Sequence, residues 1–336
     1  MKKAAIITGP YTYLDHLGVL SSLLEIPLIV TDQNTYDLGK QFYPDIKIHL
    51  KEMHELSLGF LAEHIDILFQ TGKFWAEDIV PFVKLLYNKN IRLVFCPHGN
   101  SDKGYSLTKD SQASQDICLV YGKQMHDHLK KTGALEKTRK VIATGNYRLS
   151  YYLKHQEFYD TLTDSLVFSR LDSSKQTIFY APTWSDKENT SSFFSSCDKL
   201  VEALTPTFNL LIKLHPFLEE NHPAHTYHLL SKYENKPGVF ILNNFPAIYP
   251  LLNKTSIYLG DYSSIGYDFL AFDKPLYFLH PKKVPLSSSG MVIPEKENPL
   301  TFIQNTLTQN TEEFSPKRKS LYNYAFEKSD FSHDFG

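Results

Sequence analysis

Nothing in the 336 residues runs apolar for long enough to cross a membrane, and the opening MKKAAIITGPYTYLDH holds only a short apolar stretch before a Gly-Pro turn. A spanning helix needs about 20 apolar residues. The sequence therefore predicts neither a membrane span nor a secretory leader, and a cytoplasmic location. Cysteine is sparse: Cys96, Cys118 and Cys197 are odd in number and lack metal-ligand spacing, which predicts buried thiols in a reducing compartment. Charge of one sign is also missing. With Lys+Arg 35 against Asp+Glu 37, the net charge of -2 gives no field that would gather nucleic acid, so any anion site must be local. Repeats, heptad seams and low-complexity tracts are absent. So are Gly-x-Gly-x-x-Gly, the P-loop, Gly-x-Ser-x-Gly and His-Glu-x-x-His, which argues against dehydrogenase, kinase, serine hydrolase and zinc peptidase.

What is present is a globular composition, 42% hydrophobic and 14% aromatic, in a chain longer than one core usually organises. Short β-branched runs alternate with helical patterns: 4–8, 27–31, 65–70, 91–96, 116–121, 140–144, 177–181, 208–213, 238–242, 256–260 and 275–279. That alternation predicts α/β architecture with parallel sheets covered on both faces. From about Tyr147 to Lys175 the chain is polar and helical without a strand, so the boundary falls there. The expectation is two Rossmann-like domains facing across a cleft, 1–160 and 161–315, with a tail 316–336 packing back on the first.

Ligands of such sheets bind at the carboxyl ends of strands. IRLVFC ends in PHGNSDK, placing His98 there with Gly99 at a close turn and Lys103 five residues on. His98 reads as a general base on an alcohol or as a loop histidine capping a turn. FNLLIK ends in LHPF, putting Lys213 and His215 at the edge of the second half, where donors could hold phosphate oxygens. IFYAPTWSD stops at Pro182 and offers the Thr183 hydroxyl. IYLGDYSSIGYDFL reads as strand, turn and helix, with Ser263 and Ser264 at the helix start and Asp268 one turn deeper, where an acidic side chain could hold a ribose. The same stretch carries Asp261, a negative charge beside a candidate anion site. It is expected to turn back onto backbone N–H groups or a cation such as Lys213. His222, His225 and His228 lie around Pro223 with no completing Cys or carboxylate pattern, so they read as a solvated face and no metal or cofactor is expected. The basic clusters, Lys317-Arg318-Lys319 among them, read as solvated surface.

Taken in order, HGNSDK (98–103), TGNYR (144–148), YAPTWSD (180–186), IKLHP (212–216) and DYSSIGYDFLAFDKP (261–275) resemble the CDP-glycerol glycerophosphotransferase family, whose members prime or polymerise teichoic acids. The resemblance covers about residues 90–280. It implies a GT-B-type glycosyltransferase fold, with the CDP-alcohol held by the second domain and the acceptor by the first. By position, His98 matches the family's essential histidine, His215 the histidine near the diphosphate, and Ser263 with Ser264 the phosphate-binding pair. Gly99, Lys103, Arg148, Thr183, Lys213 and Asp268 complete the expected substrate site. Three departures are Tyr147 where Pro is usual, Ser185 after the Trp, and Gly260 where Thr is common.

The resemblance implies transfer of glycerol phosphate from CDP-glycerol to a hydroxyl of a lipid-linked or polymeric envelope acceptor, releasing CMP. The alternatives are a related donor, CDP-ribitol or a nucleotide sugar, or an inactive nucleotide-binding subunit. A lipid-linked acceptor implies peripheral contact with the inner face of the cytoplasmic membrane.

Overall fold

A computed structural model describes residues 2–101, 115–184 and 191–327. Contacts divide the chain into two units. The first comprises Met1–Lys154, Asn244–Ala247 and Tyr324–Gly336, and the second His155–Asn243 and Ile248–Asn323.

The first unit carries β1 (Lys3–Ile7), β2 (Leu28–Val30), β3 (Ile48–Leu50), β4 (Ile67–Gln70), β5 (Arg92–Phe95), β6 (Ile117–Val120) and β7 (Lys140–Ala143). They form one parallel sheet in the order β3-β2-β1-β4-β5-β6-β7. Strands such as ILFQ and ICLV are buried throughout, as parallel strands covered on both faces must be. On one face Leu61, Ile65, Trp75 and Val83 close over Ile6, Leu68 and Leu93. Crossovers begin where a polar residue caps a helix: the Asp32 carboxylate accepts from the Thr35 N–H at 2.8 Å to start Gln33–Phe42.

The second unit carries β8 (Thr177–Ala181), β9 (Asn209–Ile212), β10 (Val239–Ile241), β11 (Ile257–Gly260), β12 (Leu276–Phe278) and β13 (Met291–Val292), parallel in the order β10-β9-β8-β11-β12-β13. Counted from its own first strand, this is the order of the first six strands of the other sheet. The helix Phe193–Leu204 lays Phe193, Leu200, Val201 and Leu204 on Ile178, Tyr180, Leu210 and Ile212. In each sheet the order reverses once, between β1 and β4 and between β8 and β11. At such a reversal neighbouring crossovers leave to opposite faces and open a crevice at the carboxyl ends.

All eleven predicted strands are present, with β3 and β13 in addition. The long helix Pro299–Ala325 runs through the expected start of the tail, despite Pro316. Only from Tyr324 does the chain join the first unit, where the Tyr324 hydroxyl donates to Asp127 at 3.0 Å and Phe326 meets Tyr121 edge-on. Arg318 corrects the reading of its cluster as solvated. It is fully buried, its Nε donates to Asp273 at 2.8 Å, and its other nitrogens reach the carbonyls of Asn310 and Thr311. The three cysteines are free and buried.

Candidate functional site

In the second unit the site grows from the register of the two central strands. Gly260 pairs with Ala181, so the loops after β11 and β8 leave the sheet side by side. A Cβ at Gly260 would lie 2.6 Å from the Ala181 carbonyl oxygen, which is why this departure from Thr fits the chain's own backbone. Asp261 is next, and only 3% exposed. Its Oδ2 accepts the N–H of Thr183 at 2.8 Å and of Ser192 at 3.0 Å, tying the loop after β11 to the one after β8. Its Oδ1 is buried without a partner. Burial pushes the carboxyl up to about 6, against the pull of the two N–H donors. The charge is thus turned inward onto backbone, the first of the two arrangements expected for it.

With Asp261 withdrawn, the serines face outward. Ser263 precedes the short helix Ser264–Phe269 in extended conformation and makes no cap hydrogen bond through its side chain. The Tyr258 hydroxyl spends its one proton on the Asp261 carbonyl at 2.8 Å, so the Ser263 hydroxyl, 3.2 Å away, donates to the Tyr258 oxygen. Ser263 and Ser264 both remain partly exposed. From the loop after β9, His215 sits at the start of the helix Pro216–Asn221, where its Nδ1 accepts from the Phe217 N–H at 3.2 Å. An accepting Nδ1 leaves the proton on Nε2, so His215 presents an N–H donor. Its ring lies 6.1 Å from Trp184 and 5.3 Å from Phe217, and Trp184 meets Phe217 edge-on.

Three expected substrate residues of this unit lie deeper than the sequence implied. Thr183 is 2% exposed, and its N–H and carbonyl serve Asp261 and Ser191. Asp268 is 2% exposed and accepts from the Tyr249 hydroxyl at 2.9 Å, so helix periodicity turned it inward. Lys213 is also buried, and its N–H joins the β8 edge at the Tyr180 carbonyl.

In the first unit His98 follows β5, and Gly99, with φ of 128°, makes the turn that a side chain would strain. His98 is partly exposed, but its Nδ1 is buried and unpartnered, as are both amide atoms of Asn100, itself 1% exposed. Burial pushes the His98 imidazole down to about 4, so it is neutral at pH 7. The turn Tyr11–Asp15 reaches the same place from β1, with the Tyr13 ring 5.3 Å from that of His98. Arg148 is 4% exposed, and its Nε donates to the buried Asp15 carboxylate at 3.0 Å, so it braces the turn. Tyr43 donates to the other Asp15 oxygen. Lys103 lies outside the described residues.

Sequence reasoning missed Asn100, His16 and Tyr121. His16 stood in plain view in YTYLDH, but only the fold brings that turn beside β5. Among the described residues no group of three or more His, Cys, Asp or Glu side chains is placed to hold a metal. Nor is any helix among them long and apolar enough to cross a membrane.

Two Rossmann-type parallel sheets, each with polar side chains gathered at its carboxyl edge, define a two-domain α/β protein. A family model described as CDP-Glycerol:Poly(glycerophosphate) glycerophosphotransferase matches residues 111–307, more than half of the chain, and the chain belongs to that family. The match begins beyond His98. The chain is 24% identical over 215 residues to the teichoic acid glycerol-phosphate primase of Bacillus subtilis strain 168, covering 63% of this chain and 51% of that protein. It is 25% identical over 194 residues to the teichoic acid poly(ribitol-phosphate) polymerase of Bacillus spizizenii, covering 54% and 27%. It thus spans about half of the one relative and a quarter of the other. In fold it is similar to the wall teichoic acid polymerase TagF, with a TM-score of 0.65 at 16% identity over 96% of this chain and 84% of that one. The fold is of GT-B type.

Proposed function

We propose that the protein transfers glycerol phosphate from CDP-glycerol to a hydroxyl of a lipid-linked or polymeric envelope acceptor, with CMP leaving. The observation that carries this reading is the edge of the second sheet at its reversal. There an inward-turned Asp261 leaves the Ser263 and Ser264 hydroxyls and the His215 ring as the polar groups at the carboxyl ends of β11 and β9. Ser264 and His215 offer donors without an opposing free carboxylate, which suits a diphosphate, and Ser263 joins them where a phosphate oxygen takes its proton in place of Tyr258.

In the reaction His98 takes the acceptor's hydroxyl proton while that oxygen attacks the phosphorus bearing glycerol. The bond from this phosphorus to the bridging oxygen breaks, CMP leaves with that oxygen, and a phosphodiester results. His98 is already unprotonated at neutral pH, as a base must be. The unpartnered Asn100 amide, one donor group and one acceptor, fits a further hydroxyl of a polyol acceptor. Gly99 adjoins the same base, Lys103 follows it five residues on in the sequence, and a lipid-linked acceptor would bring the protein to the inner face of the cytoplasmic membrane.

The similarity to a poly(ribitol-phosphate) polymerase favours a second reading in which CDP-ribitol is the donor. Nucleotide release measured with CDP-glycerol, CDP-ribitol and a UDP-sugar decides between them. The proposal expects the highest kcat/KM with CDP-glycerol. Preference for CDP-ribitol selects the second reading, and preference for the UDP-sugar rejects both.

A further inference from the structure

The peptide that carries His98 is held by a buried hydrogen-bond chain that none of the expected site residues supplies. Tyr121, the first residue after β6, reaches across the end of the neighbouring β5, and its hydroxyl donates to the Pro97 carbonyl at 3.0 Å. The same oxygen lies 2.7 Å from Nδ1 of His16. A phenol has one proton, and with that proton on Pro97 the contact to His16 must be an Nδ1–H donated to the phenol oxygen. His16 is thereby fixed in one tautomer, and burial and the nearby Arg148 guanidinium keep it from taking a second proton.

Both ends of the chain are braced. The Tyr147 ring stacks on Tyr121 with centroids 5.8 Å apart and planes 15° from parallel, and its hydroxyl donates to the His16 carbonyl at 3.4 Å. Asp15, next to His16, is locked by Arg148 and Tyr43. The turn that ends at His16 also sets the Tyr13 ring beside His98. The contacts close a ring: Tyr13 on His98, Pro97 on Tyr121, Tyr121 on His16, and His16 back along the chain to Tyr13. No carboxylate orients the His98 Nδ1, which is unpartnered, so the orientation of this imidazole has to come from its backbone and its ring contacts.

We propose that His16 and Tyr121 are positioning residues for His98, acting through the chain from His16 Nδ1–H to Tyr121 to the Pro97 carbonyl. This rests on the reading of His98 as the base. Losing the phenol hydroxyl leaves a buried carbonyl and a buried imidazole N–H unpaired, and the loop relaxes to satisfy them. A displacement of about an ångström at a reacting group can cost on the order of a hundredfold in rate. The donor, held by the other unit in this reading, is not touched.

The test compares wild type with Tyr121→Phe, His16→Leu and His16→Asn, the last because an asparagine amide can place an N–H near the position of Nδ1. CMP release from CDP-glycerol with glycerol as acceptor probe is measured alongside the imidazole NMR signals of ring-labelled His98, assigned with His98→Ala. Tyr121→Phe and His16→Leu are expected to lower kcat about 10- to 100-fold with the KM for CDP-glycerol within about twofold. Both should move the His98 signals, while His16→Asn stays near wild type in each readout. Unchanged kcat and unchanged signals in Tyr121→Phe overturn the proposal, as does an equal loss in His16→Asn and His16→Leu. Tyr121→Phe keeps the ring stack, so it serves if His16→Leu does not fold. If wild type releases no CMP, the proposed function fails and the NMR arm alone decides: His98 signals that move in Tyr121→Phe but not in His16→Asn support the positioning role, and signals that stay put reject it.

Discussion

Asp261 is a carboxylate turned inward, away from the serines that follow it. Its Oδ2 joins two loops through backbone N–H groups, at the cost of burying a charge whose second oxygen has no partner. Burial lifts its carboxyl from 3.8 to about 6, so between these values the folded chain keeps a proton that the unfolded chain has lost. Its contribution to stability is therefore complete below about pH 4 and is lost as pH rises through 6. Asp261→Asn keeps an oxygen for both N–H groups and removes the charge. Its melting temperature should exceed that of wild type at pH 8, by at most about 3 kcal/mol in stability, and the gap should close toward pH 4. A gap that does not vary with pH would show that Asp261 does not titrate with the fold. His98 runs the other way. Held near 4 against 6.5, it stays neutral where the unfolded chain is protonated, so acidification through that window destabilises the fold. At this scale the sequence revealed which residues stand at strand ends, but not which way they face. Asp268 and Arg148 were legible as polar groups near the site, and only packing against Tyr249 and Asp15 turned them inward.

At the scale of elements, buried parallel strands leave a strong imprint, because both faces must be apolar, and each predicted run became a strand. The two that escaped are short and less buried: IHL of β3 alternates and lies at the sheet edge, and β13 has two residues. The helix Pro299–Ala325 illustrates a signal that misleads. Pro316 removes the donor for the Glu312 carbonyl, and a run of Lys-Arg-Lys behind it reads as a solvated end. Instead Arg318 supplies donors to the carbonyls of Asn310 and Thr311 and pairs with Asp273, which is held in the left-handed region at φ 50°. Arg318→Met should cost about 3 kcal/mol, since it leaves the Asn310 and Thr311 carbonyls without their donor and takes from Asp273 its buried cation, leaving only Ser315 and the exposed Lys319. Chemical denaturation checks this; a midpoint within error of wild type would mean that water replaces the guanidinium.

For the whole molecule, the alternation of strands and helices was enough to predict two Rossmann-like units, and five short motifs in order were enough to point to the family. What was not legible was the short excursion Asn244–Ala247 and the residue at which the tail changes unit. Phe245 returns to pack on Phe42, and the last turn of a helix from one unit joins the other, both consequences of tertiary contact rather than of local pattern. His98, ahead of the region matched by the family model, is the residue on which the account turns. The most direct measurement is the rate of CMP release from CDP-glycerol by wild type and by His98→Ala, with folding of both verified by thermal melting. A general base predicts turnover by wild type and a loss on the order of a hundred- to ten-thousandfold in the variant. Equal rates in the two proteins would contradict it.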